Sequence, residues 1–230
     1  MKNNFCKKHT VPLCLLSIIL LFIIAGGVYF YKIKKAKVNT IILYNNIDLS
    51  LTKTFKIGDL EFSYPEILNF EKNGDTMLLG HSVIEKHQNN CDFSGDHPTS
   101  NEIIDVGLRI SLIDKNIYNS IKELFRKTNY STVVLKNNII TLEPGLIDKY
   151  SIGVLDGYRI FRGKKGCGGY NYYFPISSNQ TLFIYRTISS QTVVQDTDAY
   201  LLKLPGIISQ DQEEQIFKDI ISSIKGFNNL

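Results

Sequence analysis

Twenty consecutive residues without a charge, Val11 to Phe30 (VPLCLLSIILLFIIAGGVYF), constrain this chain more than any other feature. A helix of about 20 apolar residues matches a bilayer hydrocarbon core roughly 30 Å thick. Tyr29, Phe30 and Tyr31 close the run with rings that prefer the headgroup level, and Lys32, Lys34, Lys35 and Lys37 follow at once. This pattern predicts a transmembrane helix over 11–31, a short cytoplasmic tail over 1–10 before it and a linker over 32–51 after it.

Two processed forms compete with a retained anchor. In a cleaved secretory signal, Lys7 and Lys8 would be the basic region and Ala25-Gly26-Gly27 the cleavage site; the apolar stretch is longer than the roughly 7–15 residues usual for such signals. A lipoprotein would need small residues ahead of its modified cysteine, and Val11-Pro12-Leu13 precede Cys14. Lysines flank the run on both sides, three before and four after, so the positive-inside rule leaves orientation tied. Long C-terminal domains translocate largely regardless of their charge, and the cysteines described below suit an oxidising compartment. The expectation is a single-pass protein with its N-terminus in the cytoplasm and its domain outside.

The net charge of +4 does not describe that domain. Seven lysines precede the first acidic residue, Asp48, so 19 basic residues face 22 acidic ones from there onward. Affinity for a phosphate backbone comes from neutralising it with Lys and Arg. A mildly acidic domain without a basic stripe excludes a nucleic-acid partner.

From Thr52 the pattern changes to strand alternation. Phe55, Ile57, Leu60, Phe62 and Tyr64 surround the turn-like Gly58-Asp59 and predict a hairpin that Pro65 ends. A second hairpin is expected from Ile67–Glu71 and Thr76–Ile84 around Lys72-Asn73-Gly74-Asp75, because Asn-Gly readily adopts the positive φ of tight reversals. Glu85 to Ser100 reads as a long polar loop, and Glu102 to Ile113 resumes strand composition. Ile117, Ile121, Leu124 and Phe125 predict an amphipathic helix within 116–127.

Further strands are expected at Ile139–Leu142, Gly153–Arg162, Tyr170–Ile176 and Thr181–Ile188. Ser209 with Gln212 forms a capping-box pattern ahead of a terminal helix whose face carries Ile216, Phe217, Ile220, Ile221 and Ile224. The expected fold class is α+β over 52–227: an antiparallel sheet covered by two amphipathic helices and preceded by one N-terminal transmembrane helix.

The opening Leu60-Glu61-Phe62-Ser63-Tyr64-Pro65, the strand meander and the closing Gln215-Ile216-Phe217-Lys218-Asp219-Ile220-Ile221-Ser222-Ser223-Ile224 resemble small bacterial domains of the PsbP-like fold. That fold serves extrinsic photosystem subunits and lipid- or protein-binding modules and has no shared catalytic site. The resemblance implies a binding role.

Two cysteines lie in the domain, Cys91 in NNCDFSGD and Cys167 in KKGCGGYN, and outside the cytoplasm such a pair commonly joins. A metal reading competes, since His81, His87 and His97 accompany Cys91 with N and S donors that suit zinc. Their spacing matches no standard zinc module, and exposed loop histidines explain them as well. An enzymatic reading takes Cys167 as a nucleophile activated by a histidine or by Lys164 and Lys165. Lys165-Gly166-Cys167-Gly168 resembles the nucleophile turn of cell-wall L,D-transpeptidases, but the Arg that should follow is absent, as is a His-Gly partner.

The glycines around Cys167 match neither GxxxxGK[ST] nor GxGxxG and suit a bend between strands. Tyr170, Tyr172 and Tyr173 are candidates for a recognition surface, although alternation along a strand would bury about half of them. The sequence therefore points to a non-enzymatic binding or accessory module. It needs no cofactor, and its partners are the membrane through 11–31 and an envelope protein or lipid. A cysteine-dependent envelope enzyme using Cys167 is the alternative.

Overall fold

The computed structural model describes residues 47–89, 91–92, 94–96, 99–126, 135–136, 139–164, 167–188 and 198–226. The 1–10 tail, the 11–31 run and most of the 32–51 linker lie outside these residues. Among the described residues, no helix is long and apolar enough to cross a membrane.

Strands dominate. β1 (Leu51–Ile57) and β2 (Leu60–Pro65) form a two-stranded hairpin. β3 (Asn69–Asn73), β4 (Thr76–Gln88) and β5 (Thr99–Ile113) follow, then helix α1 (Ile117–Arg126). The two-residue strands β6 (Leu135–Lys136) and β7 (Ile139–Ile140) pair with each other. The chain continues through β8 (Ile147–Ile152), β9 (Leu155–Lys164), β10 (Cys167–Ser177) and β11 (Gln180–Ile188). It closes with the single-turn α2 (Asp198–Leu201) and the longer α3 (Gln210–Ser222).

Seven strands build one antiparallel sheet in the order β3-β4-β5-β11-β10-β9-β8. The expected tight reversal joins β3 to β4, but its two loop residues are Gly74, at φ 58°, and Asp75, while Asn73 still pairs with Thr76.

Side-chain alternation divides the sheet into two faces. On the first, Met77, Leu79, Leu108, Ile110, Leu182, Ile184, Tyr172 and Phe174 pack against both the β1–β2 hairpin and α3. The hairpin contributes Phe55 and Phe62, which oppose each other in register and stack with centroids 4.8 Å apart. α3 contributes Ile216, Phe217, Ile220 and Ile221, all buried on one stripe. Each such side chain taken from water stabilises by about 1.5–3 kcal/mol. Lys225 continues from α3 into backbone hydrogen bonds with Glu61 of β2, tying the two covers together.

The second face carries Tyr173, Phe183, Ile160 and Ile147, covered by Ile121 and Phe125 of α1. Ser209 caps α3 through the expected box, its hydroxyl accepting from Gln212 N while the Gln212 side chain accepts from Ser209 N.

The α+β expectation is corrected: the described residues are mostly β, and two helices do not cover the sheet. One face is closed by a β-hairpin together with α3, and ten-residue α1 covers only part of the other. Polar residues hid the extra strand content. Glu85–Gln88 and Thr99–Ser100, read as loop, extend β4 and β5, while Ile147–Ile152 (IDKYSI) is a sheet edge with one fully buried residue, Ile147. Exposed or edge strands need no apolar alternation, because the ladder's hydrogen bonds hold them.

Candidate functional site

Two cross-strand rows on the first face rise toward α3. One runs Asp148–Arg159–Tyr172–Ile184 and the other Phe161–Tyr170–Arg186–Leu108. Arg159 and Tyr172 of the first row and Phe161, Tyr170 and Arg186 of the second, with Tyr150, Glu213 and Glu214, bound a cleft of about 440 Å³ between the sheet and the first turns of α3.

Its centre is a guanidinium among rings. Arg159 lies 5.0 Å from the Tyr170 ring centroid and 5.8 Å from that of Tyr150, and Tyr150 meets Tyr172 edge-on at 4.9 Å. Arg159 Nη2 donates to Asp148 Oδ2 at 2.9 Å. Its Nε is buried and has no hydrogen-bond partner. Burial works against the Arg159 charge, and the Asp148 carboxylate outweighs that, so its pKa rises.

Arg186 forms the back of the cleft. Its Nε donates to both carboxylate oxygens of Glu213, at 2.9 and 3.1 Å, its Nη2 donates to Oε2, and its guanidinium lies over Phe217 at 5.0 Å. Burial opposes the Arg186 charge too, but its bonds to Glu213 and Tyr172 raise its pKa. Burial pushes the Glu213 carboxyl up while Arg186 pulls it back, and burial raises the Tyr172 hydroxyl to about 12. At neutral pH the cleft therefore offers a neutral Tyr172 and a charged guanidinium with an unused N–H.

Asp105 closes the floor. Its side chain is fully buried; Oδ1 meets His81 Nδ1 at 2.7 Å and Oδ2 accepts from Ile208 N at 2.7 Å. One buried acid thus holds β4, β5 and the approach to α3 together.

Of the tyrosine candidates, Tyr170 and Tyr172 line this cleft, whereas Tyr173 points to the opposite face and packs on Phe183 with centroids 5.1 Å apart. Cys91 and Cys167 are joined by a disulfide with Cα atoms 5.6 Å apart. Neither sulfur is then a thiolate, which removes Cys91 as a metal ligand and Cys167 as a nucleophile. His81 is engaged by Asp105, His87 Nδ1 meets Glu85 O at 3.1 Å, and His97 lies outside the described residues. Among the described residues, no three His, Cys, Asp or Glu side chains gather to hold a metal ion.

Reading the sequence missed Tyr150, Arg159, Arg186, Glu213 and Asp105. Arg159 and Arg186 sit at apolar-parity positions of strands β9 and β11, and a charge there is the signal that could have exposed them.

No family model matches the chain, and no curated relative matches it either. Among solved structures it is similar to a protein from Bacteroides thetaiotaomicron VPI-5482 known from a 1.50 Å crystal structure. The two share 13% identity and a TM-score of 0.39 over 77% of this chain and 49% of that one. The chain thus spans about half the length of that neighbour, and the likeness carries no functional argument.

Proposed function

We propose that the chain is a membrane-tethered module that binds envelope material on the extracytoplasmic side and performs no chemistry of its own. The uncharged run 11–30 supports the tether, and the Cys91–Cys167 disulfide is in keeping with an oxidising compartment.

The single observation behind the binding role is the buried Arg159 Nε, which lacks an acceptor inside a tyrosine-walled cleft. A buried donor left unmade costs about 1–3 kcal/mol. A ligand that brings an oxygen acceptor together with a flat apolar face would satisfy that donor and lie against Tyr150 and Tyr170. Among the described residues no activated nucleophile accompanies these groups, and capture rather than turnover suits them.

The test is crosslinking in native membranes with the wild-type chain, Arg159→Ala and Tyr170→Ala. The expected result is an envelope component captured by the wild type and lost from both variants. Capture that is equal in all three, or absent from all three, removes the cleft as the binding site. Release of the intact chain by alkaline carbonate would separately remove the tether.

A further inference from the structure

The second sheet face holds another cavity, of about 330 Å³, lined by Arg109, Arg162, Gly163, Asn171, Phe183 and Tyr185. We propose that it is an oxyanion-binding site in which Asn171 Nδ2 and the guanidinium groups of Arg109 and Arg162 hold a phosphate-type group.

The first support is an unmade hydrogen bond. Asn171 is 2% exposed, and its Nδ2 has no partner. Native proteins seldom leave a buried amide donor empty, and the missing partner must be an acceptor. The second support is charge. Arg109, Tyr185 and Asn171 are successive neighbours across β5, β11 and β10, and Arg162 stands diagonal to Asn171 on β9. Both arginines are exposed, and neither enters an ion pair among the described residues. Glu71 lies beyond Leu78, two strands from Arg109, and Glu123 of α1 already accepts from Lys115. Two unpaired guanidinium groups flanking an amide donor match an oxyanion, because Arg presents its N–H groups in a fork that fits phosphate oxygens.

The third support is shape. A Cβ on Gly169 would stand 2.5 Å from the Tyr185 ring, so glycine is what lets this ring lie low beside Asn171. The site is on the opposite face from the tyrosine cleft, and neither reading depends on the other.

The phosphate-type group has two sources, an anionic lipid headgroup or a soluble oxyanion, and one titration separates them. Full-length protein labelled with 15N-asparagine is placed in zwitterionic-lipid nanodiscs and titrated with inorganic phosphate against chloride at matched ionic strength. The expected result is a saturable shift of the Asn171 side-chain amide, identified by its absence in Asn171→Asp. Affinity falls about tenfold or more in Arg109→Gln and in Arg162→Gln. The titration is repeated in discs containing phosphatidylglycerol. A phosphate response abolished there assigns the site to a lipid headgroup, and a retained response assigns it to a soluble oxyanion. An Asn171 amide that ignores phosphate in zwitterionic discs, or that responds equally in both arginine variants, overturns the site.

Discussion

Arg186 and Glu213, 27 residues apart, meet fork to fork and bolt the middle of the sheet to α3. Their side chains are only 14% and 9% exposed, so removing one partner leaves an uncompensated charge in a dry setting. Glu213→Ala is expected to lower the unfolding free energy by about 3–5 kcal/mol. The apolar double variant Arg186→Met with Glu213→Leu recovers most of that loss. Urea midpoints of the three proteins check this; a double variant as unstable as the single one would mean that the pair's geometry, not its charge balance, matters.

The Cys91–Cys167 bridge closes a loop with a sequence separation of 76. Constraining such a loop in the unfolded chain stabilises by up to about 4 kcal/mol. Reduction, Cys91→Ser and Cys167→Ser are expected to give the same loss, and the double Ser variant no more than either single one. Denaturation with and without reductant reads it directly, and losses that add between the two sites would contradict a bond in the folded protein.

Asp148 carries a pH dependence. The N–H bond from Arg159, and next the one from Gly145 N, hold its carboxyl below the ordinary value of 3.8. A depressed acid adds stability that is fully present above the unfolded value and is lost as pH falls through the folded one. Its contribution therefore persists down to about pH 3.8 and disappears below that. Arg159→Gln is expected to move Asp148 back toward 3.8, followed by carboxyl 13C titration. No movement would leave the Gly145 amide as the controlling partner.

Gly157 belongs to the β9 ladder beside β10. A Cβ there would sit 2.0 Å from the Tyr173 carbonyl oxygen, which is backbone and cannot swing aside. Gly157→Ala is expected to break the local β9–β10 pairing and to open the tyrosine cleft. Gly74→Ala, with nothing within 4 Å but φ at 58°, should cost only about 1–2 kcal/mol. Amide exchange across β9 and β10 distinguishes them, and equal protection in both variants would discredit the clash.

Local signals carried far in this chain. The reversal at Gly74, the helix at Ile117–Arg126 and the capped helix from Gln210 each announce themselves through neighbouring residues, and each is present. Strands with little to bury were harder to read: the hairpin arm expected at Ile67–Glu71 runs Asn69–Asn73 and is exposed throughout, and Ile147–Ile152, with no clean alternation, was not expected as a strand. Pairing across the sheet holds them, and that is information distributed over the chain.

The cleft was half visible for the same reason. Tyr170 and Tyr172 stand out as aromatics on one strand, and the exclusion of Tyr173 follows from the alternation that any strand obeys. Arg159 and Arg186 acquire meaning only when β9, β10 and β11 lie side by side and α3 presents Glu213.

Asp105 has a consequence for how a guest would enter the cleft. To swing α3 outward, the chain must strip the Ile208 amide from a carboxylate that also grips His81, and must part Arg186 from Glu213. The walls are consequently set before anything arrives. An incoming molecule is spared the entropy of ordering its host, and little adaptive motion is left to relax the demand for a matching shape.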